Sequence, residues 1–327
     1  MNKYLKYELI ALMILLLVAV VVRCSTNAPA PGPEETEPPV VQTTPPTTTA
    51  PEALQITWKT YPETRQLTAQ QAFVYDCESE SFTFLAGVPT DRVYAASITK
   101  LFTAYVALQY LEPSRPITAG DVLDLVGAGS SVAEIEKGNV LTCEMLVEAM
   151  LLPSGNDAAY ILAAEAGWEL EGDRSMSASA AVGAFVKEMN RQAKALGMTG
   201  TQFMNPDGYH TDEHYTNFSD LVTIARVSLE NETILQYAAV SRENARFESG
   251  EAKQWKNTNA LIDPQSQYYC PYALGLKTGQ TPSAGSCLLS AFNVEGRVCI
   301  IGVFGCPDVD ARFDDTLQLL NQYLENE

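Results

Sequence analysis

Cations are scarce in this chain: 21 lysines and arginines stand against 40 aspartates and glutamates, a formal net charge of −19 at pH 7. Polyanion binding needs basic side chains to neutralise phosphates, so nucleic acid is excluded as a partner. Histidine is scarcer, with two residues in 327. His210 and His214 form an HxxxH stretch with Asp212 and Glu213. No third ligand stands at a predictable spacing, and the stretch reads as a loop rather than a metal centre. The seven cysteines contain no CxxC pair, which removes zinc-ribbon and thioredoxin chemistry. They read as small buried residues, with one disulfide left open by an oxidising compartment. No internal repeat occurs.

One apolar run is long, from Leu9 to Val22, with Lys3 and Lys6 before it and Arg23 after it. This is the layout of a signal peptide or an N-terminal membrane anchor, and either exports the rest of the chain. The run falls short of the roughly 20 residues of a full span, which Tyr4, Leu5 and Tyr7 extend. No small-x-small cleavage site comes directly after it, which favours an anchor. Arg23 stands where a small residue precedes a lipidated cysteine, which disfavours lipidation of Cys24. The expected location is the cell membrane, with a single N-terminal pass and an extracytoplasmic domain, or secretion if the segment is cleaved. From Ser25 to about Ala53 the composition turns to Pro, Thr, Glu and Ala. Such a stretch cannot bury enough apolar surface to fold, and in extended form it would reach on the order of 80 to 90 Å. The expected organisation is therefore a tail and anchor or signal peptide at 1–23, a linker at 24–55 and one folded domain at 56–327.

With 46% hydrophobic residues the folded part can fill a sizeable core. Two strands, 71–76 and 81–88, form an opening hairpin across the turn CESE. Ala96 to Leu111 has apolar residues at helical spacing, and further helices are expected at 142–152, 156–167, 180–196 and 217–230. Strands return at 272–278, 286–294 and 298–305, with Glu295-Gly296 as the last turn. An amphipathic helix from Arg312 to Leu324 presents Phe313, Leu317, Leu320 and Leu324 on one face. Strands at both ends with helices between them predict one α+β domain, an antiparallel sheet built from the two termini with a helical lobe inserted.

Three short motifs carry chemistry. Ser97-Ile-Thr-Lys100 lies at a helix start, where positions i and i+3 share a face. A serine hydroxyl is a weak nucleophile until a base takes its proton, and a neutral lysine amine can do so if burial or a second cation lowers its pKa. Ser154-Gly155-Asn156 lies in a loop between helices, where either polar side chain would also serve as a helix cap. Lys277-Thr278-Gly279 ends a strand. Each motif alone has an ordinary structural reading.

Together, and in this order, SxxK, SxN and KTG match the triple of the penicillin-binding protein and serine β-lactamase superfamily. Through YAASITKLFTAYVAL, LLPSGNDAAYILA, the segment from Met189 to Leu221 and GLKTGQTPSAGSCLL, the chain resembles the serine D-Ala-D-Ala carboxypeptidases, or low-molecular-mass penicillin-binding proteins. The resemblance implies a β-lactamase/transpeptidase-like fold and hydrolysis of the terminal D-Ala from D-Ala-D-Ala peptidoglycan stem peptides. It also implies covalent inhibition by β-lactams and no cofactor or metal. It makes Ser97 the acylated nucleophile and Lys100 its general base. Ser154 would pass a proton to the leaving D-Ala, and Asn156 would bond the substrate amide. Lys277 would hold Ser154, add positive potential and keep Lys100 neutral. Thr278, Gly279, Gln280, Thr281 and Arg312 would bind substrate. Gly279 would let the backbone lie close to it, the main-chain N–H groups of Ser97 and Gln280 would form the oxyanion hole, and Arg312 would hold the terminal carboxylate.

Two other readings remain in view: a serine β-lactamase, and an inactive penicillin- or peptidoglycan-binding module. Glu188 falls roughly where class A β-lactamases keep their water-activating glutamate, but VKEMNRQ lacks the ExxLN pattern and Glu188 reads as solvent-facing. Many relatives carry a further β-rich domain, whereas this chain ends soon after KTG. Membrane attachment is then expected at the N-terminus, and cell-shape or sporulation roles lose their basis.

Overall fold

The computed structural model describes residues 66–325. The expected anchor, the linker and the first residues of the expected 56–327 domain lie outside these. Five strands form the main antiparallel sheet: β1 (Gln71–Asp76), β2 (Ser81–Ala86), β7 (Ala273–Thr281), β8 (Gly285–Val294) and β9 (Arg297–Cys306). Their spatial order, β2-β1-β9-β8-β7, joins the first strands of the domain to the last. The hairpin between β8 and β9 turns on Glu295 and Gly296, with φ of 54° and 95°, the positive pair that a two-residue turn needs to match strand twist.

β8 and β9 read as almost unbroken apolar runs because both of their faces are covered. On one face Val74, Leu288, Phe292, Ile301 and Val303 pack against Phe313, Leu317 and Leu320 of α7 (Val309–Glu325). On the other, Phe73, Leu289, Ile300 and Phe304 join the core of the helical body. That body comprises α1 (Thr99–Ala107), α2 (Cys143–Leu151), α3 (Asn156–Glu171), α4 (Ala178–Ala195), α5 (Phe218–Leu229) and α6 (Glu232–Ala238). The expected α+β architecture, with helices inserted between strands from both termini, is what the structure shows.

Several boundaries and elements differ from expectation. The helix predicted from Ala96 begins as a 3₁₀ turn at Ala96–Ile98 and becomes α-helical at Thr99. Helix α6 was not expected, nor were two small sheets, β3 (Pro116–Thr118) with β4 (Val140–Thr142) and β5 (Arg242–Arg246) with β6 (Ala252–Lys256). β5 and β6 are polar strands in which only Ala245 and Trp255 are buried, so they carry little alternation to read. Among the described residues all six cysteines are free thiols, five of them buried.

Glu188 corrects a sequence expectation outright. It is 5% exposed, and it accepts hydrogen bonds from Tyr110 Oη at 2.5 Å, Arg191 Nε at 2.6 Å and Gln192 Nε2 at 2.8 Å. The carboxylate is thus a structural clamp between α4 and the turn that follows α1, held in the interior by four donors from three residues. Helical periodicity could not reveal them because Tyr110 comes from another element.

Candidate active site

Ala96 holds φ at 49°, a left-handed conformation uncommon for a residue with a side chain. It turns the chain so that Ser97 sits in the 3₁₀ turn at the mouth of the cleft and Lys100 falls in the first turn of α1. Lys100 Nζ lies 2.7 Å from Ser97 Oγ and 2.8 Å from the main-chain oxygen of Asp207. Lys100 is wholly buried, and burial lowers its pKa to about 8, against the opposing pull of the Asp207 and Asp157 carboxylates. Desolvation, rather than the expected influence of Lys277, is the main cause of that shift.

The loop after α2 supplies the second motif. Ser154 is buried with φ at 64°. A β-carbon at Gly155 would come within 2.6 Å of Asp157 Oδ1 and 2.8 Å of Ala149 O, so only glycine permits this tight entry to α3. Ser131 Oγ donates to Ser154 O at 2.8 Å, and Asn156 N donates to Ser131 O at 2.9 Å. Asp157 accepts from the main-chain N–H groups of Ala133 and Ile135 at 2.9 and 3.0 Å. The segment 131–135 is thereby fastened to the head of α3 as one wall. Asn156 Nδ2 donates to Asp207 Oδ2 at 2.6 Å, while Asn156 Oδ1 is buried without a hydrogen-bond partner.

The third motif lies within β7, not at its end, because the strand continues through Gln280 to Thr281. β7 is an edge of the sheet, so half of its peptide groups point away from β8. Lys277 is buried, and its Nζ lies 3.2 Å from Thr278 O and 3.5 Å from Thr258 Oγ1. The expected Lys277–Ser154 contact is replaced by these partners. Burial, with the Lys100 and Arg312 cations, pushes the Lys277 pKa well below its ordinary value. Thr278 Oγ1 lies 2.6 Å from Thr258 Oγ1. A β-carbon at Gly279 would come within 2.5 Å of Ala95 O and 3.3 Å of Ser97 N. The glycine is therefore required by the packing of β7 against the nucleophile's own backbone. Thr281 lines the cleft, but its Oγ1 accepts from Ala284 N at 3.0 Å.

Arg312, on the first turn of α7, reaches back to the same strand. It is 5% exposed, Nη1 donates to Gly279 O at 3.4 Å, and Nε is buried without a partner. Burial lowers its pKa only to about 10, so the guanidinium stays charged.

These residues converge on a cleft with two connected compartments. The larger, about 490 Å³, is lined by Ser97, Asn156, Asp207, Tyr209, His210 and Thr281 among others. The smaller, about 250 Å³, is lined by Ser154, Thr258, Thr278, Gly279 and Arg312. Ser97, Ser131 and Gln280 border both, which places the nucleophile at their junction. Another cavity of about 500 Å³, between Asp76, Arg297 and Tyr323, holds none of the motif residues.

The two histidines separate. His214 is buried against Thr99 Oγ1 at 2.9 Å, with its pKa lowered to about 4 chiefly by burial. His210 faces the cleft, edge-on to Tyr94. Asp207, Asp157, Ser131 and Thr258 do not stand out in the sequence. Asp157 directly follows the SxN motif, which is the nearest thing to a signal among them.

Residues 58–307 match the family described as D-alanyl-D-alanine carboxypeptidase. A D-alanyl-D-alanine carboxypeptidase of Streptomyces sp. strain K15 is 30% identical over 239 residues, covering 70% of this chain and 78% of its own. The carboxypeptidase DacF of Bacillus subtilis is 29% identical over 71% of this chain, which spans 56% of that relative's length. The crystal structure of the Streptomyces K15 DD-transpeptidase superposes with a TM-score of 0.71 at 26% identity, covering 80% of this chain and 98% of its own. Penicillin-binding protein D2 of Listeria monocytogenes in an ampicillin-bound form gives 0.63 at 26% identity, over 78% of this chain and 97% of its own. With the motif triple assembled in one cleft and most of the chain matched, this protein belongs to the D-alanyl-D-alanine carboxypeptidase family.

Proposed function

We propose that the chain removes the terminal D-Ala from peptidoglycan stem peptides ending in D-Ala-D-Ala, through an acyl-enzyme on Ser97, and that β-lactams acylate the same residue. The observation that carries this reading is the 2.7 Å approach of a fully buried Lys100 Nζ to Ser97 Oγ. With its pKa lowered to about 8, the amine has an accessible neutral form that takes the Ser97 proton as Oγ attacks the penultimate carbonyl. The developing oxyanion is assigned to the main-chain N–H groups of Ser97 and Gln280, where β7 packs against the nucleophile's turn. As the tetrahedral adduct collapses, the C–N bond breaks and Ser154 relays a proton to the departing amine. Water then hydrolyses the Ser97 ester.

Arg312 fits the terminal carboxylate. A buried, charged guanidinium with an unpartnered Nε is costly unless an anion completes it. The smaller compartment brings Arg312 together with Thr278 and Gly279, which supports it as the seat of the C-terminal residue. The larger one takes the remainder of the stem. The edge position of β7 in the sheet supports a substrate lying extended along it, bonded by main-chain groups.

A β-lactamase reading loses its candidate for the deacylating base, since Glu188 is bound by Tyr110, Arg191 and Gln192 and does not line the cleft. For location, the apolar run from Leu9 to Val22 with flanking cations supports a membrane-anchored, extracytoplasmic enzyme with peptidoglycan as its partner. Among the described residues no helix is long and apolar enough to cross a membrane. Mass spectrometry after incubation with a labelled penicillin tests the function. One adduct on the Ser97 peptide, absent in Ser97→Ala, supports it; an unmodified wild-type protein overturns it.

A further inference from the structure

Asp207 is 1% exposed and lies between two of the motifs. Its loop is held from several sides. Thr103 Oγ1 donates to Pro206 O at 2.6 Å, and Lys100 Nζ donates to Asp207 O at 2.8 Å. Asn205 Oδ1 accepts from Gly208 N at 2.8 Å, and Asn205 Nδ2 donates to Tyr209 O at 2.8 Å. The carboxylate itself accepts Asn156 Nδ2 at 2.6 Å on one oxygen and Tyr209 N at 3.2 Å on the other. No cation pairs with it directly, and burial raises its pKa, opposed first by the Lys100 charge. A buried carboxylate served by a neutral amide adds little to stability, so its position calls for another explanation.

We propose that Asp207 is a positioning residue for acylation, its carboxylate fixing the Asn156 amide while its main-chain carbonyl holds the Lys100 amine. The inference rests on the acyl-transfer function proposed above. Asn156 presents Nδ2 to the Asp207 side chain, at 2.6 Å from Oδ2. Oδ1 is the atom left over, buried and unpartnered beside the larger compartment. It is thereby assigned to a donor, an N–H group of the bound stem peptide. One residue thus sets the substrate-facing amide and the base together, which neither motif does for the other. The other charged or titratable groups around Lys100 are Asp157 of α3, Lys277 of β7 and His214 of the loop before α5.

The test is the pH profile of Ser97 acylation by a fluorescent penicillin, measured on the full-length chain for wild type, Asp207→Asn, Asn156→Ala and the double variant. Asparagine keeps the size but both donates and accepts, which frees the Asn156 amide to turn over. The plateau rate is expected to fall about tenfold to a hundredfold, as for a misplaced substrate contact. Loss of the anion also lowers the Lys100 pKa, so the acidic limb is expected to move to lower pH by about one unit. In the Asn156→Ala background the plateau falls by less than about twofold further, because the two residues act as a unit. A wild-type plateau and limb in Asp207→Asn, or plateau losses that simply multiply, overturn the assignment. Asp207→Ser, which leaves space and retains the main-chain carbonyl, gives the same readout if the asparagine variant does not fold. Absence of a wild-type adduct on Ser97 sinks the parent reading along with this one, whereas a normal adduct with unaltered Asp207→Asn kinetics sinks only the role of Asp207.

Discussion

Gly208 packs directly beneath the carbonyl of Ala96, so closely that a β-carbon at Gly208 would overlap the Ala96 oxygen and press on Ser97 N. With φ at 81°, the position is strained for any other residue. The loop carrying Asp207 is thereby seated against the nucleophile's turn. Gly208→Ala is expected to displace Ser97 and cut β-lactam acylation about a hundredfold, with a lowered melting temperature. A variant that acylates at the wild-type rate would show that this contact does not set the nucleophile's position.

Acylation should depend on pH through Lys100. Its pKa is lowered to about 8, and the neutral amine is the active form. The rate is therefore expected to climb with pH and level off above about 8, falling about tenfold for each unit below. Stopped-flow acylation between pH 5 and 9 reads this limb. A rate independent of pH across that range would remove Lys100 as the base.

Arg312 should distinguish substrates by their C-terminus. Arg312→Met is expected to reduce kcat/KM on a peptide ending in free D-Ala-D-Ala on the order of a hundredfold, the scale of a lost buried charge contact. The same peptide as its C-terminal amide, which lacks the carboxylate, should lose far less. Equal losses on both would mean that Arg312 serves the fold rather than the carboxylate.

Glu188 should matter for stability and not for turnover. The Arg191 guanidinium beside it, with Tyr110 and Gln192, holds its pKa down to about 2 from 4.5. Its contribution is therefore present above pH 4.5 and lost as pH falls toward 2. Glu188→Gln is expected to cost about 1 to 3 kcal/mol at pH 7, read by denaturant unfolding, with acylation and deacylation unchanged. A selective loss of deacylation would revive the β-lactamase reading.

The three motifs and the sheet built from both termini are legible in the sequence because they are local patterns: short spacings for the chemistry, apolar runs and a turn dipeptide for the strands. The parts that join the motifs are not. Asp207 sits in Asn205-Pro206-Asp207-Gly208, which reads as a plain turn, and its meaning arises only where Lys100 and Asn156 meet it. Asp157 likewise acts on Ala133 and Ile135 across a loop. Glu188 reads wrongly as solvent-facing for the same reason, its phenol donor lying on a segment 78 residues away. Family likeness assigns Lys277 to Ser154, whereas Thr258, which neighbours it here, comes from a segment with no motif of its own.

The most direct measurement is D-alanine release from a diacetyl-Lys-D-Ala-D-Ala peptide by wild-type protein and by Lys100→Ala. Steady release by wild type and a loss of several orders of magnitude in the variant is the expected result, since Ser97 without its 2.7 Å partner has no base. Wild-type protein that releases no D-alanine, or a Lys100→Ala variant that releases it as fast, would contradict the assignment of this cleft.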